Sequence, residues 1–235
     1  MPRETLTREQ IVSVAVDLLD AEGLEGLSMR ALGARLGSAA TAVYWHVGGK
    51  DELVALAGDQ VWTEIALPDL SANTWQYAAR AMARELHDML IRHPWLMQAF
   101  GTVLLFGPGK ARHDEHSLAV YEAAGFTGLQ VDQAAASVFT YVLGNALGPS
   151  AAASLGRKVD RDGQSLHKEG MARAREVAAQ FPRLQARLHT AAAGYAAAPQ
   201  GSFDFGLHAM LDGLQAELAT ASRAIDSPRP PRINQ

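Results

Sequence analysis

Glu25-Gly26-Leu27-Ser28-Met29-Arg30-Ala31-Leu32-Gly33-Ala34-Arg35-Leu36-Gly37, followed closely by Val43-Tyr44-Trp45-His46-Val47, decides how this chain folds. Ser28 stands in front of an apolar-periodic run and predicts a helix N-cap, with Leu27 and Leu32 as a hydrophobic staple and Leu32 and Leu36 on one face. Gly37-Ser38 predicts a tight turn, and a short third helix then runs from about Ala39 to Trp45. Gly48-Gly49 ends it, and Lys50-Asp51-Glu52 opens a fourth helix carrying Leu53, Leu56, Val61 and Trp62. Two short helices around a glycine-centred turn form a helix-turn-helix, in which the first helix braces the second in the major groove.

The same grammar extends to both sides. Upstream, Thr7-Arg8-Glu9-Gln10 fits a capping box, Leu6 and Ile11 staple it, and Ile11, Ala15, Leu18 and Leu19 form one stripe up to a left-handed stop at Gly23. Downstream, Pro68 and Ser71-Ala72-Asn73-Thr74 mark a boundary. A helix from about Trp75 to Arg92 follows, with Trp75, Ala79, Met82, Leu86 and Met89 on one face. Pro94 stops it and another helix starts near Trp95. Gly107-Pro108-Gly109 breaks the chain again, a helix ends at Gly125, and a long one covers about 130–147. Residues 149–163 read as loop, two helical segments flank Pro182, and a last helix spans about 203–225. No Asn-Gly or Asp-Gly separates alternating apolar runs, so no hairpin is expected and the fold class is all-α.

Composition narrows the function classes. Of 235 residues, 48% are hydrophobic and 20% charged, a globular balance that argues against a disordered chain or a fibre. With no cysteine there is no disulfide scaffold, thiolate metal site or cysteine nucleophile. Runs such as Val103-Leu104-Leu105-Phe106 fall far short of the ~20 residues that span a bilayer, and the N-terminus has no apolar signal core, so a cytoplasmic protein with no membrane partner is expected. A net charge of −4 does not advertise a nucleic-acid partner, but position matters more than the total. Asp17, Asp20, Glu22 and Glu25 lie on or after the first helix, whereas residues 28–50 hold Arg30, Arg35 and Lys50 with no acid, and Arg3 and Arg8 suggest a basic arm. There is no glycine-rich phosphate loop, no Gly-x-Ser-x-Gly elbow and no framed carboxylate pair, so no enzyme is expected. His113-Asp114-Glu115-His116 spaces two imidazoles for a metal, but without a third ligand it reads as a solvated face; no metal and no cofactor are expected.

The helix-turn-helix with Tyr44-Trp45-His46-Val47 and Lys50 resembles the DNA-binding domain of the tetracycline-repressor (TetR) family of transcriptional regulators. The remainder is similar to that family's C-terminal domain through Arg92-His93-Pro94-Trp95, Ala124-Gly125-Phe126, Tyr141-Val142-Leu143-Gly144, Phe181-Pro182, Phe205-Gly206-Leu207 and Leu211-Asp212-Gly213-Leu214. The resemblance implies a helix-turn-helix domain over 1–50, a linking helix over 51–66, a helical ligand-binding and dimerisation domain over 67–225, and a proline-rich disordered tail over 226–235. It implies that Arg30 reaches a base or phosphate and that Ala40 and Thr41 face base edges. Tyr44, His46 and Lys50, with Trp45 beside them, would hold the backbone. Backbone N–H groups at Gly49-Lys50 would hold a further phosphate. The small Ala39-Ala40-Thr41-Ala42 start of the reading helix points to an operator different from that of the tetracycline repressor.

For the second domain the resemblance implies a small-molecule pocket and a four-helix dimer seam. The expected lining is Met82, Leu86, Met89, Trp95, Phe100, Phe106 and Phe139, suited to a hydrophobic or aromatic effector. Met82 and Phe100 stand where the tetracycline repressor places an Asn and a His, which sets magnesium-bound tetracycline aside. The expected seam is Ala134, Val138, Tyr141, Val142 and Asn145 with Phe205, His208, Leu211 and Leu214. The implied function is a repressor that binds a palindromic double-stranded operator as a homodimer and is released by its effector, the signal crossing through about 100–110. The competing readings are a helical small-molecule-binding protein or enzyme with merely structural N-terminal helices, and an activator of the same family.

Overall fold

The computed structural model describes residues 6–158, 161–188 and 201–226. Eleven helices follow in order: α1 Arg8–Gly26, α2 Met29–Arg35, α3 Ala40–His46, α4 Lys50–Trp62, α5 Trp75–Arg92, α6 Trp95–Ala99, α7 Pro108–Ala124, α8 Leu129–Lys158, α9 Arg161–Ala178, α10 Pro182–Gln185 and α11 Ser202–Asp226. Among the described residues there is no strand, and no helix is long and apolar enough to cross a membrane. The all-α expectation holds.

Local chemistry explains the N-terminal head, α1 to α4. The Gln10 N–H donates to Thr7 Oγ1 at 3.2 Å while the Thr7 N–H donates to Gln10 Oε1 at 3.0 Å, a complete capping box. Gly23 takes φ 70° and breaks α1, with one more turn continuing to Gly26. Ser28 Oγ accepts the Ala31 N–H at 3.1 Å. The turn between α2 and α3 is a Schellman motif, with Ser38 N–H to Gly33 O at 2.9 Å and Gly37 N–H to Ala34 O at 3.4 Å, and Gly37 in the left-handed region at φ 62°. Leu27, Leu32, Val43, Val47 and Leu53 are buried together with Ile11, Ala15, Leu18 and Leu19 of α1, so α2 packs on α1, α3 on α2, and α4 closes along α1.

The body is built around α5. Its Ala78, Ala79, Met82, Ala83, Leu86, Met89 and Leu90 are buried, and it packs against both α7 and α8. Arg84 pairs with Asp204 at 2.8 Å and Gln76 donates to Gln215 at 2.7 Å, which ties α11 to α5.

One boundary differs from the sequence reading. Residues 149–158 and 161–163 are helix and not loop: α8 runs through Gly148-Pro149 to Lys158, and α9 begins at Arg161. An interior proline removes one ladder bond and usually costs a helix about 3 kcal/mol. Here the buried Ser150 Oγ donates to Leu90 O at 3.0 Å and Ala146 is fully buried one turn earlier, so tertiary contacts hold the backbone helical across Pro149. The expected tail beyond 226 lies outside the described residues, apart from Asp226 at the end of α11.

Candidate functional site

The exposed side of the head is the second short helix. Val43 is its buried anchor, and from that anchor Thr41, Tyr44, Trp45 and His46 project into solvent, with Ala40 half-buried. Trp45 is 90% exposed and Tyr44 52%, so neither is core, and an indole left in water on a helix this small has no packing role within the protomer. Arg30 is exposed at the start of α2, beside the same face. Arg30, Thr41, Tyr44, Trp45 and His46 are thus all exposed.

Lys50 has a structural partner as well. Its Nζ donates to Leu24 O at 2.6 Å, a carbonyl left over where Gly23 breaks α1. An ammonium has three donors, so two remain for a phosphate. Glu52 carries a role the sequence reading missed: its Oε2 accepts the Gly48 N–H at 3.0 Å while its Oε1 pairs with Arg8 at 3.0 Å. Arg8 thus belongs to the first turn of α1, and Arg3 lies outside the described residues. Arg35 pairs with Glu22 at 2.9 Å.

A cavity of about 240 Å3 lies in the body between α5, α7 and α8. Its walls differ in character. Ala79, Met82, Ala83 and Leu86 of α5 face Ala135, Val138, Phe139 and Val142 of α8 across an apolar space. The third wall is a stripe of α7, with Lys110, His113, Asp114, Ser117 and Tyr121 at helical spacing. Lys110 Nζ pairs with Asp114 and lies 5.2 Å from the Trp62 ring centre and 5.5 Å from that of Phe139. His113 and Lys110 hold Asp114 below the usual carboxylate range against the opposing effect of burial. Tyr121 is buried, which pushes its hydroxyl pKa upward, and that hydroxyl has no hydrogen-bond partner among the described residues.

Of the seven expected lining residues, Met82, Leu86 and Phe139 line this cavity. Met89 and Trp95 are packed in the core, Phe100 is half-buried against it, and Phe106 is 66% exposed. The polar wall was missed because His113 reads as solvent-facing in the sequence. The structure corrects this: His113 is buried with its ring 4.9 Å from that of Trp62, and His116 Nε2 is buried without a partner. No three His, Asp or Glu side chains among the described residues are gathered to hold a metal.

The cavity abuts the head through Trp62, the last residue of α4. Lys110, His113 and Phe139 all touch its ring, and Trp62 is 1% exposed. A second junction lies at the start of α7. Asp59 of α4 accepts the Lys110 N–H on Oδ1 at 2.9 Å, serving a helix whose own N-cap, Gly107, offers no side chain. Added Cβ atoms on Gly107 or Gly109 would overlap Asp59, so both glycines are needed for this approach.

The expected seam residues divide. Ala134, Val138, Val142 and Leu211 are buried within the protomer, and Leu214 is half-buried. Tyr141 donates to Phe203 O at 2.8 Å, where Gly206 leaves room for its ring, and Asn145 donates to Tyr141 O at 2.9 Å. Of the expected α11 residues, Phe205, at 79%, and His208 are exposed; the exposed positions of α8 include Ala136, Ser137, Thr140, Gly144 and Leu147. Four of the nine expected seam residues are thus covered within this chain, while Phe205 and His208 are left exposed.

Comparison with known proteins gives this arrangement its relatives. The family model for bacterial regulatory proteins of the tetR family matches residues 11–57, and that for the tetracyclin repressor-like C-terminal domain matches 67–218. An HTH-type transcriptional regulator of Saccharopolyspora erythraea is 36% identical over 211 residues, covering 90% of this chain and 85% of that one. The HTH-type transcriptional repressor DrrR1 of Streptomyces coeruleorubidus is 33% identical over 227 residues, covering 93% and 80%. The crystal structure of apo ActR from Streptomyces coelicolor superposes with a TM-score of 0.72 at 28% identity, over 92% of this chain and 98% of that one; ActR is also known in complex with actinorhodin. This chain belongs to the TetR family of transcriptional regulators, which are not enzymes.

Proposed function

We propose that this regulator is a repressor that binds a palindromic operator as a homodimer and leaves it when a small molecule enters the α5–α7–α8 cavity. The observation that carries the reading is the contact of the cavity wall with Trp62, because α4 also packs along α1, the helix that backs the reading head. Thr41 and Ala40 read base edges, Trp45, Tyr44 and His46 lie along the backbone, and Arg30 and Lys50 supply charge. With so few cations per protomer, specific affinity depends on two heads in successive major grooves, about 34–36 Å apart. The second copy would cover Phe205 of α11 and the Ala136–Leu147 side of α8.

The ligand suited to this cavity is a flat, largely apolar molecule with one polar edge. The apolar walls of α5 and α8 take its faces, and the Tyr121 hydroxyl donates to an oxygen on its edge. The relative ActR, crystallised with actinorhodin, supports a small-molecule effector of this general kind. Binding that separates Lys110, His113 and Phe139 from Trp62 would rotate α4, and release follows only if the ligand prefers the rotated state.

Fluorescence anisotropy with a selected palindromic duplex tests the reading. Saturable binding of one dimer per duplex, weakened by salt and reversed by a ligand that protects the cavity from exchange, is expected. Equal affinity for scrambled DNA would refute it.

A further inference from the structure

A buried histidine lies where the head meets the body, away from both the DNA face and the cavity. His93 follows α5, and its side chain is 7% exposed. Its Nδ1 lies 2.8 Å from Oδ1 of Asp20 on α1. Its Nε2 lies 3.1 and 3.2 Å from the two carboxylate oxygens of Glu64, just beyond α4. Two flanking donors hold the carboxylates in place: Trp95 Nε1–H reaches Asp20 Oδ1 at 2.8 Å, and Arg92 reaches Glu64 Oε2 at 2.9 Å.

The arrangement dictates a charge state. An ionised carboxylate only accepts, so both ring nitrogens must carry hydrogen for both contacts to be attractive, which is the imidazolium form. A neutral His93 would turn a lone pair toward one of the two carboxylates, a repulsive contact at 2.8–3.2 Å. Asp20 and Glu64 belong to the head, while Arg92, His93 and Trp95 belong to the body, so the cluster spans the joint.

We propose that His93, as a doubly hydrogen-bonded cation, is a positioning residue that fixes the angle of the reading head on the body, and that loss of its proton frees the head. The claim depends neither on the operator nor on the ligand. Burial opposes the charge on His93, but the hydrogen bonds and charges of Asp20 and then Glu64 outweigh it, and the pKa lies above the ordinary imidazole value of 6.5. The sign follows. The joint is fully closed below that ordinary value and opens as pH rises through the raised one.

The sequence contains no cysteine, so labels can be placed at will. Spin labels on the exposed positions of A34C in α2 and E122C in α7, in protein diluted with unlabelled chain, report the head-to-body distance within one protomer by pulsed electron resonance. The distance distribution should be narrow at about pH 6 and roughly twice as wide at about pH 9, as the imidazole is deprotonated. In H93Q it should be wide at both. E64Q, altering a partly exposed residue and so least able to disturb folding, should move the midpoint of the broadening to lower pH. Nitrogen shifts of the His93 ring, assigned by their loss in H93Q, should report the imidazolium at about pH 6, below the ordinary imidazole value. An unchanged width across the range, a neutral ring at that pH, or an E64Q midpoint identical to the wild type would each overturn the proposal.

Discussion

Asp59 is a residue of the head that caps a helix of the body, and its removal should register as a definite loss of stability. D59A deletes the acceptor of the Lys110 N–H, a 2.9 Å bond, and leaves the first turn of α7 with no side-chain cap at all. Losing a cap of this kind costs about 1 kcal/mol, within a range of roughly 0.5–2. The carboxylate also sits at the positive end of a helix of 17 residues, partly buried, which adds about 0.5–1 kcal/mol. The expected total is about 1–3 kcal/mol, or roughly 2–12 °C in Tm for a chain of this size. D59N keeps the shape and an acceptor oxygen while losing the charge, so it should retain about half of the lost stability. Urea unfolding followed by tryptophan fluorescence measures both, with G170A as a control at a helical glycine where an added Cβ meets nothing. D59A within about 0.3 kcal/mol of wild type, or D59N less stable than D59A, would refute the capping argument.

Other consequences are equally open to test. W45A should leave stability within about 0.5 kcal/mol, because the indole is 90% exposed, while weakening DNA binding in an anisotropy titration. S28A should cost about 1 kcal/mol in urea through loss of the α2 cap. Y121F removes a buried hydroxyl with no protein partner, so its melting point should equal or exceed the wild type while calorimetry shows weaker effector binding. The raised pKa of His93 means that the stability gap between wild type and H93Q should be largest below about pH 6.5 and shrink as pH rises, as read from paired melting curves.

The head was legible in the sequence because its signals are local. Thr7, Gln10 and Ser28 act on backbone groups within three residues, and Gly37 answers to its own φ, so no distant partner is needed to read them. Pro149 was misread for the opposite reason. The feature that keeps the helix intact there is a hydroxyl contact from Ser150 to Leu90, sixty positions away in the chain. The α5–α7–α8 cavity was half legible: Met82, Leu86 and Phe139 show up as apolar periodicity, but His113 and Tyr121 look like ordinary helix surface until α5 and α8 close over them. An apolar stripe does not say whether its own body or a second copy covers it. Ala134, Val138 and Val142 turned out to be covered from within. Asp59, His93 and Glu64 are joint residues whose partners lie far off in sequence, and only the assembled structure brings them together.

The most direct test of the account is selection of bound sequences from a random duplex pool by the purified, ligand-free protein at low salt. It predicts enrichment of a palindrome whose half-sites are centred about one helical turn apart, with enrichment lost in a variant combining W45A and T41A. Recovery of no enriched sequence by a folded dimer, or of the same sequences by that variant, would contradict it.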